Sequence, residues 1–237
     1  MNPQNTYDVI IIGAGSLGTP AAFYFASAGL KVLVLETVPS VGQGSNKRAI
    51  GGIRATHSDP AKIRLCLRSI EIFSTFKEVY GKDIEWDQCG YSFIAYTPRE
   101  EKILKDLLTI QHTYGLVNNW YAKDDLLKII PDLTPQGLLG GTFSPNDGSA
   151  SPLLSNHAYF TLAVEKGVTF HFCEPVTSMV VQRGKIISVT TSRETYSAGV
   201  VLNTAGAAAA EIGRMAGVEI PVRADSHEAA ITEPVAR

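Results

Sequence analysis

The chain has 237 residues, 45% of them hydrophobic and 19% charged, with a formal charge of −2. This is the balance of a globular protein of one large or two modest domains, and so little net charge argues against a general nucleic-acid partner, which would select a basic face. Three scattered cysteines, Cys66, Cys89 and Cys173, make no CxxC pair or zinc spacing, so reduced buried thiols are expected rather than a disulfide framework or a metal site.

Residues 7–12, Tyr7-Asp8-Val9-Ile10-Ile11-Ile12, read as a strand, and Gly13, Gly15 and Gly18 follow as a G-x-G-x-x-G turn. Residues 19–28 make an apolar helix, as expected where a helix wedges against a sheet, and residues 31–36 make a second strand that ends in Glu36. Glycines in this pattern are weak evidence alone. Set between two strands, with an acid at this distance, they predict a dinucleotide-binding βαβ unit. Gly13 permits the turn, Gly15 lets the backbone approach a pyrophosphate, and Gly18 lets the helix pack close to the strand. The helix N-terminus offers N–H groups to the phosphates, and Glu36 stands where a carboxylate accepts hydrogen bonds from a ribose. Only six residues precede Tyr7, with no charged and apolar leader, and the apolar runs fall short of a membrane span. A cytoplasmic protein without a direct membrane span is expected.

A loop rich in Gly and Ser covers residues 37–56. A helix is predicted over 60–80, started by Asp59-Pro60 and carrying Ile63, Leu67, Ile70, Phe73 and Phe76 at helical spacing. Residues 84–96 turn strand-like, with Gly90 between two halves. Helices are predicted over 98–114 and 122–130, a strand over 138–143, a turn over 144–148, and a helix over 152–166. Strands follow at 168–172 and 176–182, a hairpin turn at Arg183-Gly184, strands at 185–191 and 199–203, then a helix and a last alternating segment over 222–232. This order predicts an α/β nucleotide domain interrupted by mixed, partly antiparallel material.

Residues 42–54 hold Gly42, Gly44, Ser45, Lys47, Arg48, Gly51, Gly52 and Arg54 close together. Glycines let the backbone pass beside a flat ring or a phosphate. Ser45 can bond a phosphate or ribitol oxygen, and the planar fork of Arg54 suits a carboxylate. A surface loop without a ligand is the alternative reading of this stretch.

Taken with Asp147-Gly148 and Pro152 before a helix, and with Asn203-Thr204-Ala205-Gly206-Ala207, these segments resemble FAD-dependent oxidoreductases of the D-amino-acid-oxidase type. Within that superfamily the chain is most similar to sarcosine oxidase, especially its beta subunit, and to enzymes that oxidise proline and glycine. The resemblance runs from Tyr7 to about Pro234. It implies an α/β fold in which a Rossmann-like FAD-binding domain (1–80 and 146–220) is interrupted by a mixed or antiparallel-sheet substrate domain (81–145), with 221–237 starting the returning sheet.

The resemblance also implies residue roles. Gly13, Gly15, Ser16, Leu17 and Gly18 would wrap the FAD pyrophosphate, and Glu36 would hold the adenosine ribose. Gly44, Ser45, Arg48 and Gly52 would line the path to the flavin. Val176 would meet the adenine, and Ala205 and Gly206 the pyrophosphate from the other side. Arg54 would bind the substrate carboxylate, with Lys47 and Arg48 as charges on the flavin side. Single-chain sarcosine oxidases carry another arginine three residues before this one, where Gly51 stands here, and a loop histidine of theirs falls roughly at Lys47.

The implied reaction oxidises the C–N bond of a small amino acid or N-methyl amino acid. Hydride passes from Cα to flavin N5, and water hydrolyses the resulting imine. His57 reads either as a neighbour of the flavin or as a solvent-facing loop residue, and His227 either faces the substrate or does not. His157 and His171 read as structural, and Tyr91 and Tyr96 as packing. Two other functions are carried forward: an NAD-dependent dehydrogenase, and a non-catalytic FAD-binding fragment or subunit. The family's members run well beyond this length, which implies a missing C-terminal half or a partner subunit. An unpaired last strand would then be an aggregation liability.

Overall fold

The computed structural model describes residues 5–226. The chain divides into two compact units, one formed by Met1–Ile50 with Pro152–Arg237 and the other by Gly51–Ser151. In the first, β1 (Thr6–Ile12) leads into α1 (Gly18–Ser27) and β2 (Val32–Leu35). β2 is buried along its whole length and β1 along its last four residues. Such continuous apolar runs mark parallel strands covered on both faces.

The second unit opens with the two-residue strand β3 (Gly52–Ile53), then α2 (Pro60–Ser74) and α3 (Phe76–Tyr80). Asp59 caps α2 by accepting from the Lys62 N–H at 3.0 Å. The single helix expected over 60–80 breaks at Thr75, whose hydroxyl back-bonds to the Glu71 carbonyl at 2.9 Å, a bond that competes with the helical ladder. Next come β4 (Tyr91–Ala95), α4 (Pro98–Thr113), β5 (Asn119–Ala122), α5 (Lys123–Ile129), β6 (Gly140–Ser144) and β7 (Gly148–Ser149). Strands β4-β6-β5 form an antiparallel sheet, and β3 pairs with β7.

Only the second half of the strand expected over 84–96 forms. Glu85 and Gly90 take φ of 56° and 78°, so residues 84–90 run irregularly, with Asp87 bridging to Ser149. β5 is too short to leave a periodic signature, and the expected start of a helix at 122 is its last residue.

The chain then returns to the first unit through α6 (Pro152–Glu165), β8 (Thr169–His171), β9 (Val176–Gln182), β10 (Lys185–Thr191), β11 (Thr195–Asn203) and α7 (Ala209–Met215). The sheet order is β8-β2-β1-β11-β10-β9. β8, β2, β1 and β11 are parallel, while β10 is antiparallel to both β11 and β9. Ile10, Ile12, Leu33, Leu35, Val189, Tyr196 and Ile212 make its core. β11 starts four residues earlier than expected because Thr195 and Tyr196 pair with β10 before the strand turns to β1.

An α/β unit interrupted by one built on an antiparallel sheet is the architecture expected from sequence. The divisions lie at 50/51 and 151/152, so residues 51–80 and 146–151 group with the inserted unit and not with the nucleotide unit. Residues 218–226 form no regular element, so the strand expected over 222–232 does not begin where placed, and the rest of it, with His227, lies outside the described residues. The cysteines are free, but Cys89 and Cys173 are exposed and only Cys66 is half-buried. Cys66 lies in α2, while the two exposed thiols lie in irregular segments, Cys89 before β4 and Cys173 between β8 and β9. Among the described residues no helix is long and apolar enough to cross a membrane.

Candidate functional site

In the first unit a trough of about 680 Å³ lies at the carboxyl ends of β1, β2 and β11, where open α/β sheets take their ligands. Its walls are the β1–α1 turn, residues 35–38, residues 42–46, Glu174 to Val176, and the segment from Asn203 into α7.

The glycines of the β1–α1 turn do three different things. Gly13 has φ of 105°, and a Cβ there would stand 2.6 Å from the Thr204 carbonyl oxygen. A Cβ on Gly18 would strike the Gly13 carbonyl and the Thr204 hydroxyl. A Cβ on Gly15 would meet nothing within 4 Å, so the Gly15 side of the turn is open to the trough it lines. No side chain caps α1; the Thr19 N–H donates to the Gly15 carbonyl at 3.1 Å and Pro20 has none, so the donors open to an anion are the N–H groups of the preceding turn, at Ser16 and Leu17. Among the described residues no lysine or arginine lines the trough, so a bound diphosphate would draw on these backbone donors.

Glu36 follows β2, its backbone N–H donating to the His171 carbonyl at 2.9 Å. Its Oε2 accepts from the Ala14 N–H at 2.7 Å and its Oε1 from the Val38 N–H at 3.2 Å. Each oxygen keeps acceptor capacity, directed from a fixed, half-buried carboxylate that lines the trough. These features fit a dinucleotide with a ribose diol at Glu36 and a diphosphate over Gly15.

Gly13, Gly15, Ser16, Leu17, Glu36, Gly44, Ser45, Val176, Ala205 and Gly206 all line this trough. Gly18 does not, being buried behind the turn. Lys47 and Arg48 extend the short 3-10 turn from Ser45, are exposed, and lie outside the lining, with Lys47 Nζ donating to Gln43 at 3.3 Å. Gly52, Arg54 and His57 belong to the other unit.

Several supporting residues carry little sequence signal. The Thr204 hydroxyl donates to the Ile12 and Gly13 carbonyls at 3.0 and 2.9 Å. Asn203 bonds the Ala209 carbonyl and the Ala205 N–H. Asn156, inside α6, contacts the Thr19 hydroxyl and donates to the Ala14 carbonyl at 3.2 Å. Asn203 and Thr204 adjoin the glycine motif and could have been found there; Asn156 sits mid-helix with nothing to mark it.

In the second unit Arg54 is half-buried and helps line a cavity of about 230 Å³ with Thr56, His57 and Phe93. Its guanidinium lies 5.4 Å from the Tyr91 ring centre and 5.2 Å from that of Phe93, within cation–π range. Nη1 donates to the Thr56 carbonyl at 3.2 Å and approaches His57 Nδ1 at 3.3 Å. Burial, and then the Arg54 and Lys62 charges, push the His57 pKa down, so the neutral ring takes the Arg54 proton at Nδ1. His57 is thus neither fully exposed nor isolated. Tyr91 forms part of the floor under Arg54. Tyr96 is exposed and its hydroxyl donates to the Thr134 carbonyl at 3.0 Å.

Asp147 is fully buried behind this segment, and its Oδ1 accepts from the Ala55 N–H at 3.1 Å. Burial pushes its carboxyl pKa up, against the Ala55 N–H, the nearby Ser144 and Thr56 hydroxyls and Arg54, although Oδ2 and those hydroxyls complete no hydrogen bond. An acid whose pKa rises on folding contributes stability below its unfolded value of about 3.9, and loses it as pH climbs through the folded value. Asp147→Asn keeps the acceptor for Ala55, adds a donor for the hydroxyls and removes the buried charge. We expect it to be more stable at pH 7 by about 1 kcal/mol, one net hydrogen bond. Its midpoint in thermal scans should also lose the fall that the parent shows from about pH 4 upward.

The βαβ opening, the anion-ready turn and the placed acid define a dinucleotide-binding α/β protein. Residues 8–237 match the family described as FAD dependent oxidoreductase, and the chain belongs to that family. It is 26% identical over 228 residues to the mitochondrial dimethylglycine dehydrogenase of Rattus norvegicus, covering 96% of this chain and 27% of that protein. It is 29% identical over 218 residues to monomeric sarcosine oxidase of Streptomyces avermitilis, covering 87% and 53%. Among solved structures, L-proline dehydrogenase from P.horikoshii superposes with a TM-score of 0.85 at 29% identity, covering 90% of this chain and 56% of that one. The chain thus spans about a quarter to a half of the length of these relatives.

Proposed function

We propose that this chain binds FAD along the trough and forms part of an oxidoreductase acting on the C–N bond of a small amino acid or N-methyl amino acid. The observation that carries this reading is the unobstructed Gly15 beside an oriented Glu36, in a chain that matches the FAD family over almost its whole length. The relatives named for dimethylglycine, sarcosine and proline support the substrate class. Bound FAD supplies the hydride acceptor. The β1–α1 turn and the segment at Ala205 and Gly206 hold the diphosphate, Glu36 the ribose, and Val176 the adenine. Gly44 and Ser45 border the path toward the flavin ring. Arg54 binds the substrate carboxylate, and His57, kept neutral beside it, orients the guanidinium. Lys47, Arg48 and Gly52 keep the flavin-side roles that the family resemblance implies.

The family match favours this over an NAD-dependent dehydrogenase. Because the relatives are longer, a complementary segment or partner subunit supplies the remaining surface of the active site. The test is to titrate the chain with FAD, following the quench of flavin fluorescence, and then to add sarcosine, dimethylglycine, proline or glycine without oxygen, alone and with a candidate partner. Bleaching of the flavin band by one amine supports the proposal; FAD binding without bleaching by any of them identifies a non-catalytic FAD-binding subunit. In the active assembly Arg54→Ala should raise KM roughly 30-fold, the scale of lost charge-assisted bonds, with FAD still bound. An unchanged KM removes Arg54 from the substrate.

A further inference from the structure

The turn that joins β8 to β9 contains Glu174, 2% exposed among hydrogen-bond donors. Its Oε1 accepts from the Tyr196 hydroxyl and the Thr191 hydroxyl, both at 2.7 Å. His171 Nδ1 stands 3.2 Å from its Oε2 and 2.9 Å from the Tyr196 hydroxyl oxygen. Tyr196 has one proton and gives it to Glu174, so His171 must carry its own on Nδ1, shared between the two oxygens. Burial, and then the bond to Glu174, hold the Tyr196 phenol well above its ordinary pKa, so that proton stays in place.

This peg sits under a strained turn. Cys173, next to Glu174, has φ of 53°, a conformation that costs an L-residue free energy. The same turn forms part of the trough wall and braces its neighbours. The Glu174 N–H donates to the Glu36 carbonyl at 2.9 Å, and the Cys173 N–H donates to the Val38 carbonyl at 3.3 Å. Two residues on, Val176 lines the trough. Glu36 and Val176, at the adenosine end of the trough, are therefore both placed by one turn, and that turn is held by the buried carboxylate.

We propose that Glu174 is a positioning residue for the adenosine half of the nucleotide, acting through Glu36 and Val176 by clamping the strained turn at Cys173. The inference rests on the dinucleotide reading of the trough. The test measures ADP binding to the full chain by calorimetry, which needs no catalysis. Glu174→Gln should weaken ADP roughly 10-fold, the scale of one charge-assisted bond. Glycine takes φ near 53° without penalty, so adding Cys173→Gly to that variant should bring affinity back to within about threefold of the parent. That rescue cannot come from restored Glu174 contacts, because none are restored. Should Glu174→Gln fail to fold, Tyr196→Phe keeps the ring packing, removes one donor to the peg, and should weaken ADP in the same direction.

Parent-like ADP affinity in a folded Glu174→Gln chain, or a loss that Cys173→Gly leaves unrelieved, overturns the positioning role alone. A parent chain that binds neither ADP nor FAD overturns the dinucleotide reading and this inference with it.

Discussion

Gly15→Val should leave the fold and thermal midpoint of this chain unchanged and remove nucleotide binding. Gly15 is not among the glycines of positive φ, and a Cβ there would meet no heavy atom within 4 Å. Folding therefore has no reason to reject it. The space it would fill is the space in which, on the proposed reading, a diphosphate approaches the turn before α1. Charge-assisted hydrogen bonds contribute ~1.5–3 kcal/mol each, and a branched side chain would hold the ligand away from several of them. We expect a loss of at least ~100-fold in FAD affinity, about 2.7 kcal/mol, read by fluorescence quench. A valine variant with parent affinity would show that the diphosphate does not lie against this turn.

Gly18→Ala should do the reverse and damage the fold. Its methyl would run into the Gly13 carbonyl and reach within 2.8 Å of the Thr204 hydroxyl. Neither can yield. Gly13 is bonded to the Leu35 carbonyl at 2.9 Å through its N–H, and Thr204 spends its hydroxyl on the Ile12 and Gly13 carbonyls. Overpacking of this kind costs about 3 kcal/mol, which for a chain of this length lowers the thermal midpoint by roughly 10 °C. Chemical denaturation should give the same loss from both secondary-structure and tyrosine signals. Two glycines of one motif thus separate into an open, trough-lining position and a packing position.

The first of these was legible in sequence because glycine spacing, strand pattern and a terminal acid are all local. β1, α1, β2 and the β9–β10 hairpin appear where periodicity places them for the same reason. What stayed hidden depends on distant partners. Asn156 lies 142 residues from Ala14, whose carbonyl it binds. The two-residue strands β3 and β7 exist only because they face each other. His171 looks like an ordinary alternating strand residue, and only the return of β11 brings Tyr196 and its hydroxyl against it. The division at residue 50 instead of 80 also escapes sequence, because α2 is amphipathic either way and its partners decide its unit. Lys47 and Arg48, adjacent in sequence to trough residues, stand exposed outside its lining.

The sheet of the first unit has a consequence for how the chain reaches its native state. β1 registers directly with β11, Thr6 against Ser197, a separation of 191 residues. Until that pairing forms, β1 and β2 have an open flank and the trough has only one wall. Such remote contacts slow folding because a large loop must close before any bond rewards it. The inserted unit's sheet, whose strands pair within residues 91–144, needs no such distant partner. A cofactor added to a nascent chain should therefore have no influence on maturation until β11 has left the ribosome.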